Sequence, residues 1–150
     1  MAWQSIKTWG HDVGLSCAFR QWKATDSHCA KIHGYALAIS VCFEADELDD
    51  RGWVIDFGGL KELKQQLIDT FDHKTVLAED DPALWPLKTL AHQTDVMDIV
   101  TMPAVGCEHF ARHVWRLADL WLHGTGHGDR VRVASVTVSE HGANSAVYRP

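Results

Sequence analysis

Strict two-residue alternation is the feature that most limits what this chain can fold into. Tyr35, Leu37, Ile39, Val41 and Phe43 take every second position with small residues between them, and the run Arg130 to Glu140, RVRVASVTVSE, repeats the pattern near the other end. Successive side chains of a strand point to opposite faces, so each run makes a strand with one apolar face and one wet one. Val13, Leu15, Cys17 and Phe19 predict a shorter strand of the same kind, and Ala146-Val147-Tyr148 a short partner after the turn HGANS. The apolar faces must be covered. Leu60, Leu63, Leu67 and Phe71 stand at helical spacing, and so do Phe110, Val114, Leu117, Ala118 and Trp121 between Cys107 and Leu122. The order strand, strand, helix, irregular stretch, helix, strand, strand predicts an α+β fold: a four-stranded antiparallel sheet with two helices on one face. Lys74 to Val105 is long for a connection and predicts a functional loop or short helical turns.

Composition narrows the function. The chain has 150 residues, with 20 acidic and 14 basic side chains and a formal charge of −6, and no run of consecutive Lys or Arg. That balance argues against a grip on nucleic acid or an anionic membrane and favours a small-molecule or protein partner. No stretch of about 18 apolar residues is present to span a bilayer, and MAWQSIKTWGHD lacks the apolar core of a secretory signal, so a cytoplasmic protein is expected. No linker or repeat divides residues 1–150, which are expected to form one domain. The four cysteines, Cys17, Cys29, Cys42 and Cys107, contain no CxxC pair and are expected as free thiols.

Three places carry candidate chemistry. Cys29 and His33 stand where an irregular loop enters the second strand. Asp72-His73 follows the first helix. Glu140 closes the apolar face of the last long strand, where a carboxylate needs donors from protein or ligand. Singly, each has a plain reading as a small buried thiol, a solvated turn and a surface acid.

Together they resemble a family. Cys29-x-x-x-His33-Gly34, Val54-Ile55-Asp56-Phe57, Phe71-Asp72-His73-Lys74, Gly106-Cys107-Glu108 and Val138-Ser139-Glu140, with a closing Tyr148, occur in the order found in the 6-pyruvoyl/6-carboxytetrahydropterin synthases. The resemblance covers residues 13–148. It implies the tunnelling fold, a trimer whose sheets close into a barrel, often stacked as a hexamer, and an active site between subunits. It implies that Glu140, with Cys107 and Glu108, holds a pterin. Cys29 then removes protons from the substrate side chain, assisted by Asp72 and His73. The family has threonine at Cys107. No nucleotide cofactor is implied.

Family members also hold a catalytic zinc on three histidines, whose places here are taken by Phe19, His33 and Tyr35. One imidazole falls short of the usual three protein ligands. His28 or His11 could restore a different ligand set; alternatively the site works without metal, with Arg20 and Lys31 as candidates to polarise the substrate oxygen. The resemblance thus implies a lyase acting on 7,8-dihydroneopterin triphosphate on the route to queuosine. A 6-pyruvoyl-forming synthase and a non-catalytic pterin- or purine-binding homologue are the alternatives.

Overall fold

A computed structural model describes residues 1–150. The seven strands are β1 (Trp3–Trp9), β2 (Leu15–Phe19), β3 (His33–Ala45), β4 (Lys74–Ala78), β5 (Asp98–Met102), β6 (Val131–His141) and β7 (Asn144–Tyr148). The helices are α1 (Lys61–Phe71), α2 (Leu84–Thr94) and α3 (Cys107–Gly124). The α+β class agrees with the sequence reading, but the sheet has seven strands rather than four, in the order β5-β4-β2-β3-β6-β7 with β1 also on β3.

The 13-residue strand β3 is the spine. β6 pairs antiparallel with Ala38 to Ala45; on the opposite edge β1 pairs with Ile39 to Ala45 and β2 with His33 to Leu37. β1 and β2 therefore lie end to end along one edge. Between them Gly14 takes a left-handed backbone (φ 77°), which glycine adopts without steric penalty.

The segment from Lys74 to Val105 is not a loop. It folds as strand, helix, strand, with β4 parallel to both β2 and β5, so the expected purely antiparallel sheet becomes mixed. KTVLA and DIVTM are too short to show a period, and α2 buries only Leu84, which is why the stretch reads as irregular.

Alternation does its expected work in the core. Leu37, Ile39, Val41, Phe43 and Ala45 of β3 and Val131, Val133, Val136 and Val138 of β6 are buried together with Leu63, Leu67 and Phe71 of α1 and Phe110, Ala111, Val114 and Ala118 of α3. Phe110 makes edge-on contacts with Phe19 and Phe71, with ring centroids 5.1 Å and 5.3 Å apart. These contacts fix the start of α3 against β2.

Candidate active site

Two backbone irregularities bring the carboxylates together. Register between β6 and β7 shifts between Ser139 and His141, which leaves Glu140 as the extra residue of a bulge. Gly106 precedes α3 at φ 128°, and a Cβ there would lie 2.7 Å from Gln21 Nε2 and 3.5 Å from Glu108 Oε2. Gln21 can swing aside, but a φ of 128° is a backbone that side chains rarely adopt, and this favours glycine. The next residue, Cys107, is buried, and its thiol is pushed up to about 12 by that burial, by the negative charges of Glu140 and Glu108, and by hydrogen bonding to Glu140. Cys107 is thus a neutral thiol at the place where the family resemblance implies threonine. Tyr35 is raised too, by partial burial first and then by the charges of Glu140, Cys29 and Cys107. Tyr35 therefore lies within reach of the charges of Cys29, Cys107 and Glu140, and these four residues make up one side of the candidate pocket.

The opposite wall is aromatic. Phe19 is fully buried and pairs in register with His33; their ring centroids are 4.9 Å apart, and Tyr35 lies edge-on to His33 at 5.5 Å. His33 Nδ1 contacts the Lys31 carbonyl at 2.8 Å, while its Nε2 is buried with no hydrogen-bond partner. That orphaned nitrogen is where a ligand set would start, but its neighbours at the two remaining family positions are a phenyl ring and a phenol. No group of three His, Cys, Asp or Glu side chains converges on a metal-sized site. His28 is exposed, and His11 is hydrogen-bonded through Nδ1 to the Ala36 carbonyl, so neither joins His33 in such a group. The residues present do not fit the three-histidine zinc site.

Cys29 sits in a single 3-10 turn, His28–Ala30, whose entry is capped by Ser27 Oγ accepting from the Cys29 N–H at 3.1 Å. The N–H of Gln21, just beyond β2, donates to the Cys29 carbonyl at 2.8 Å. Asp72 and His73 are elsewhere. Ser16 N–H donates to Asp72 Oδ1 (3.2 Å), His73 N–H donates to the Ser16 carbonyl (2.7 Å), and His73 Nδ1 lies 2.9 Å from Asp72 Oδ1. His73 has φ 57°, an uncommon backbone for a residue with a side chain, held by those two contacts with one strand residue. With Nδ1 donating to the carboxylate, Nε2 of the largely exposed ring is left free as acceptor. Five residues separate Ser16 from Gln21, about 16 Å of extended chain. Within one chain no hydrogen bond joins Cys29 to Asp72 or His73, whose partners lie near opposite ends of β2.

Arg20 is not the free cation that its sequence context suggests. Its guanidinium is forked onto the buried Asp81, with Nε–Oδ2 at 2.8 Å and Nη2–Oδ1 at 3.0 Å. Gln21 and Asp81 belong to no motif, so nothing in the sequence marks them for a role. Gln21, Trp22, Lys23 and His109 line a cleft of about 400 Å³ beside the start of α3. A cavity of about 410 Å³ by β1, lined by Trp3, Leu48, Trp53 and Phe57, is remote from this chemistry. His109 is exposed, whereas His113 packs edge-on against Phe71 at 6.4 Å.

Residues 11–150 match the family described as 6-pyruvoyl tetrahydropterin synthase. The chain is 26% identical to the 6-carboxy-5,6,7,8-tetrahydropterin synthase of Aquifex aeolicus over 99% of each protein, and 39% identical to that of Rickettsia conorii over 54 residues, 35% of this chain and 39% of the relative. Among solved structures it resembles an uncharacterized protein from Wolinella succinogenes (TM-score 0.77, 19% identity, 99% of this chain and 98% of that one). It also resembles the 6-pyruvoyl tetrahydropterin synthase of Plasmodium vivax (TM-score 0.73, 18% identity, 100% and 98%). The match spans both walls of the pocket and the elements that place them: the chain belongs to the 6-pyruvoyl tetrahydropterin synthase family.

Proposed function

We propose that this protein is a 6-carboxytetrahydropterin synthase-like lyase acting on 7,8-dihydroneopterin triphosphate, on the route to queuosine and other deazapurines. The observation that supports the reading is the nearness of Glu140 and Glu108 to the buried Cys107 thiol, with Glu140 and Cys29 both close enough to Tyr35 to raise it. A carboxylate here accepts from the amino and ring N–H groups of a pterin, charge-assisted bonds of the stronger class. Cys107 donates beside it.

In this reading the Cys29 thiolate takes a proton from the substrate side chain, a job for which a thiol is competent near neutral pH once neighbouring charge assists it. His73 moves the second proton through Nε2, while Asp72 holds the ring by Nδ1. Because the two groups stand at opposite ends of β2, the reaction centre needs Cys29 from one copy and Asp72-His73 from another. The free outer edges of β1 and β7 suit closure of a trimeric barrel, which removes edges that would otherwise pair promiscuously. Zinc takes no part in these steps, since the pocket does not fit it.

A second reading, a pterin- or purine-binding homologue without catalysis, is favoured by one observation: two rings occupy the places of two ligands. Incubation of purified protein with dihydroneopterin triphosphate, followed by product analysis, separates the readings. Turnover to the 6-carboxy product, abolished in Cys29→Ala with pterin binding kept, is the expected result. A 6-pyruvoyl product selects the sister activity; tight pterin binding with no turnover selects the binder.

A further inference from the structure

Asp81 is the only buried charged or polar side chain of the chain, and its carboxylate is fully enclosed. A buried charge is tolerated only when paired and hydrogen-bonded. Here it is: Oδ2 takes Arg20 Nε at 2.8 Å, and Oδ1 takes Arg20 Nη2 at 3.0 Å and the Ala83 N–H at 2.8 Å. The fork leaves one nitrogen of Arg20 aimed elsewhere. Nη1 donates to the carbonyl of Ala30 at 3.1 Å, one residue past Cys29.

We propose that Asp81 is a positioning residue for Cys29, acting through Arg20. The turn His28–Ala30 is held at two consecutive carbonyls, Cys29 by the Gln21 N–H and Ala30 by the Arg20 guanidinium. The first bond is set by the course of the chain; the second depends on the angle of a planar fork that only a bidentate carboxylate fixes. The connection between β4 and α2 supplies a second hold on the same loop, since Asp80 accepts from Trp22 Nε1 at 3.1 Å and pairs with Lys23 at 2.9 Å. That outer pair is exposed and screened, so Asp81 carries the constraint. The strand β4, at the head of the segment from Lys74 to Val105, thereby brings Asp81 beneath the end of β2, and Asp81 sets the thiol.

The inference rests on the proposed function only for the reason Cys29 matters, and it is tested without substrate. Cys17, Cys42 and Cys107 are buried, and the thiols of Cys17 and Cys107 are pushed up to about 12, so iodoacetamide reports on Cys29, with Cys29→Ser as blank. Alkylation rates across pH 6 to 10 are compared, on folded protein, for wild type, Asp81→Asn, Arg20→Lys, the outer variant Asp80→Asn, and Leu63→Ala, a core truncation in α1 remote from the loop. Freed from the guanidinium's hold on the Ala30 carbonyl, Cys29 is expected to react faster by at least about fivefold in Asp81→Asn and Arg20→Lys, with a shifted pH midpoint; Asp80→Asn and Leu63→Ala stay within about twofold of wild type. Arg20→Lys, which keeps the buried charge paired, carries the test should Asp81→Asn not fold. Wild-type rates and midpoint in folded Arg20→Lys overturn the proposal, and so does an equal change in Leu63→Ala, which reduces the effect to general loosening. Failure of the function instead shows as wild-type turnover in Cys29→Ala, whatever the alkylation rates.

Discussion

The Glu140 wall and the Phe19 wall of the same pocket follow opposite rules. Around Glu140 the chain gathers charge: two carboxylates and a thiol held neutral between them, on a strand bulge and a glycine that leave little freedom for other side chains. Around Phe19 it gathers rings, and one imidazole nitrogen is buried with nothing to bond. Under the proposed function, recognition and metal-holding are separable in this fold. Glu140 depends on a bulge for its place, whereas the three positions where the family resemblance implies zinc ligands are ordinary positions of β2 and β3 filled by Phe19, His33 and Tyr35.

The strongest challenge to that contrast is to rebuild the lost side. Phe19→His with Tyr35→His places three imidazoles on the paired positions of β2 and β3. Burying the new histidine in place of a fully buried phenylalanine should cost the metal-free protein about 3–5 kcal/mol, read from urea unfolding. Zinc should return much of it and bind at about one ion per chain, because ligand binding to the native state adds directly to stability. If wild type already carries one tight zinc per chain, the contrast between the walls collapses.

Glu140→Gln tests the other wall. Loss of a charged acceptor for pterin N–H groups is expected to weaken binding by about 2–3 kcal/mol, roughly 30- to 150-fold in Kd, by calorimetry with a pterin. Unchanged affinity would move the ligand away from Glu140.

The smallest effect comes from behind Phe71, at the edge of both. His113 is pushed below the ordinary histidine range by burial and by the nearby Arg116. Below about pH 6.5 the unfolded chain takes up a proton there while the folded chain resists it. Stability contributed by neutral His113 is thus present above that pH and lost as pH falls towards the depressed folded value. The drop in urea midpoint between pH 7.5 and 5.5 should be smaller in His113→Gln than in wild type; an identical drop would assign the acid sensitivity to other groups.

What could be read from the sequence follows from how each element is buried. β3, β6, α1 and α3 each bury one regular face, so their periods show. β1 does not: WQSIKTW sets its apolar residues at positions 3, 6 and 9, most of the strand is exposed or half-exposed, and only pairing with β3 makes it a strand. For the candidate site, motif order alone singled out Glu140, Cys107, Glu108, Cys29 and the Asp72-His73 pair, and set Phe19 and Tyr35 at two of the three positions where zinc ligands were expected. The Arg20–Asp81 fork was invisible because its partners stand 61 positions apart and neither residue type breaks a pattern. Long-range ion pairs leave no period in a sequence.

The separation of Cys29 from His73 along β2 has a genetic counterpart. A chain that contributes the thiol at one boundary and the imidazole at another makes its two roles behave as separate functions that copies can exchange. Under the proposed mechanism, a strain expressing only Cys29→Ala and one expressing only His73→Ala are both inactive. Co-expression should restore part of the activity, since a mixed assembly contains some boundaries where an intact Cys29 meets an intact His73. Two defective alleles of this one gene are then expected to complement each other, as if they lay in different genes.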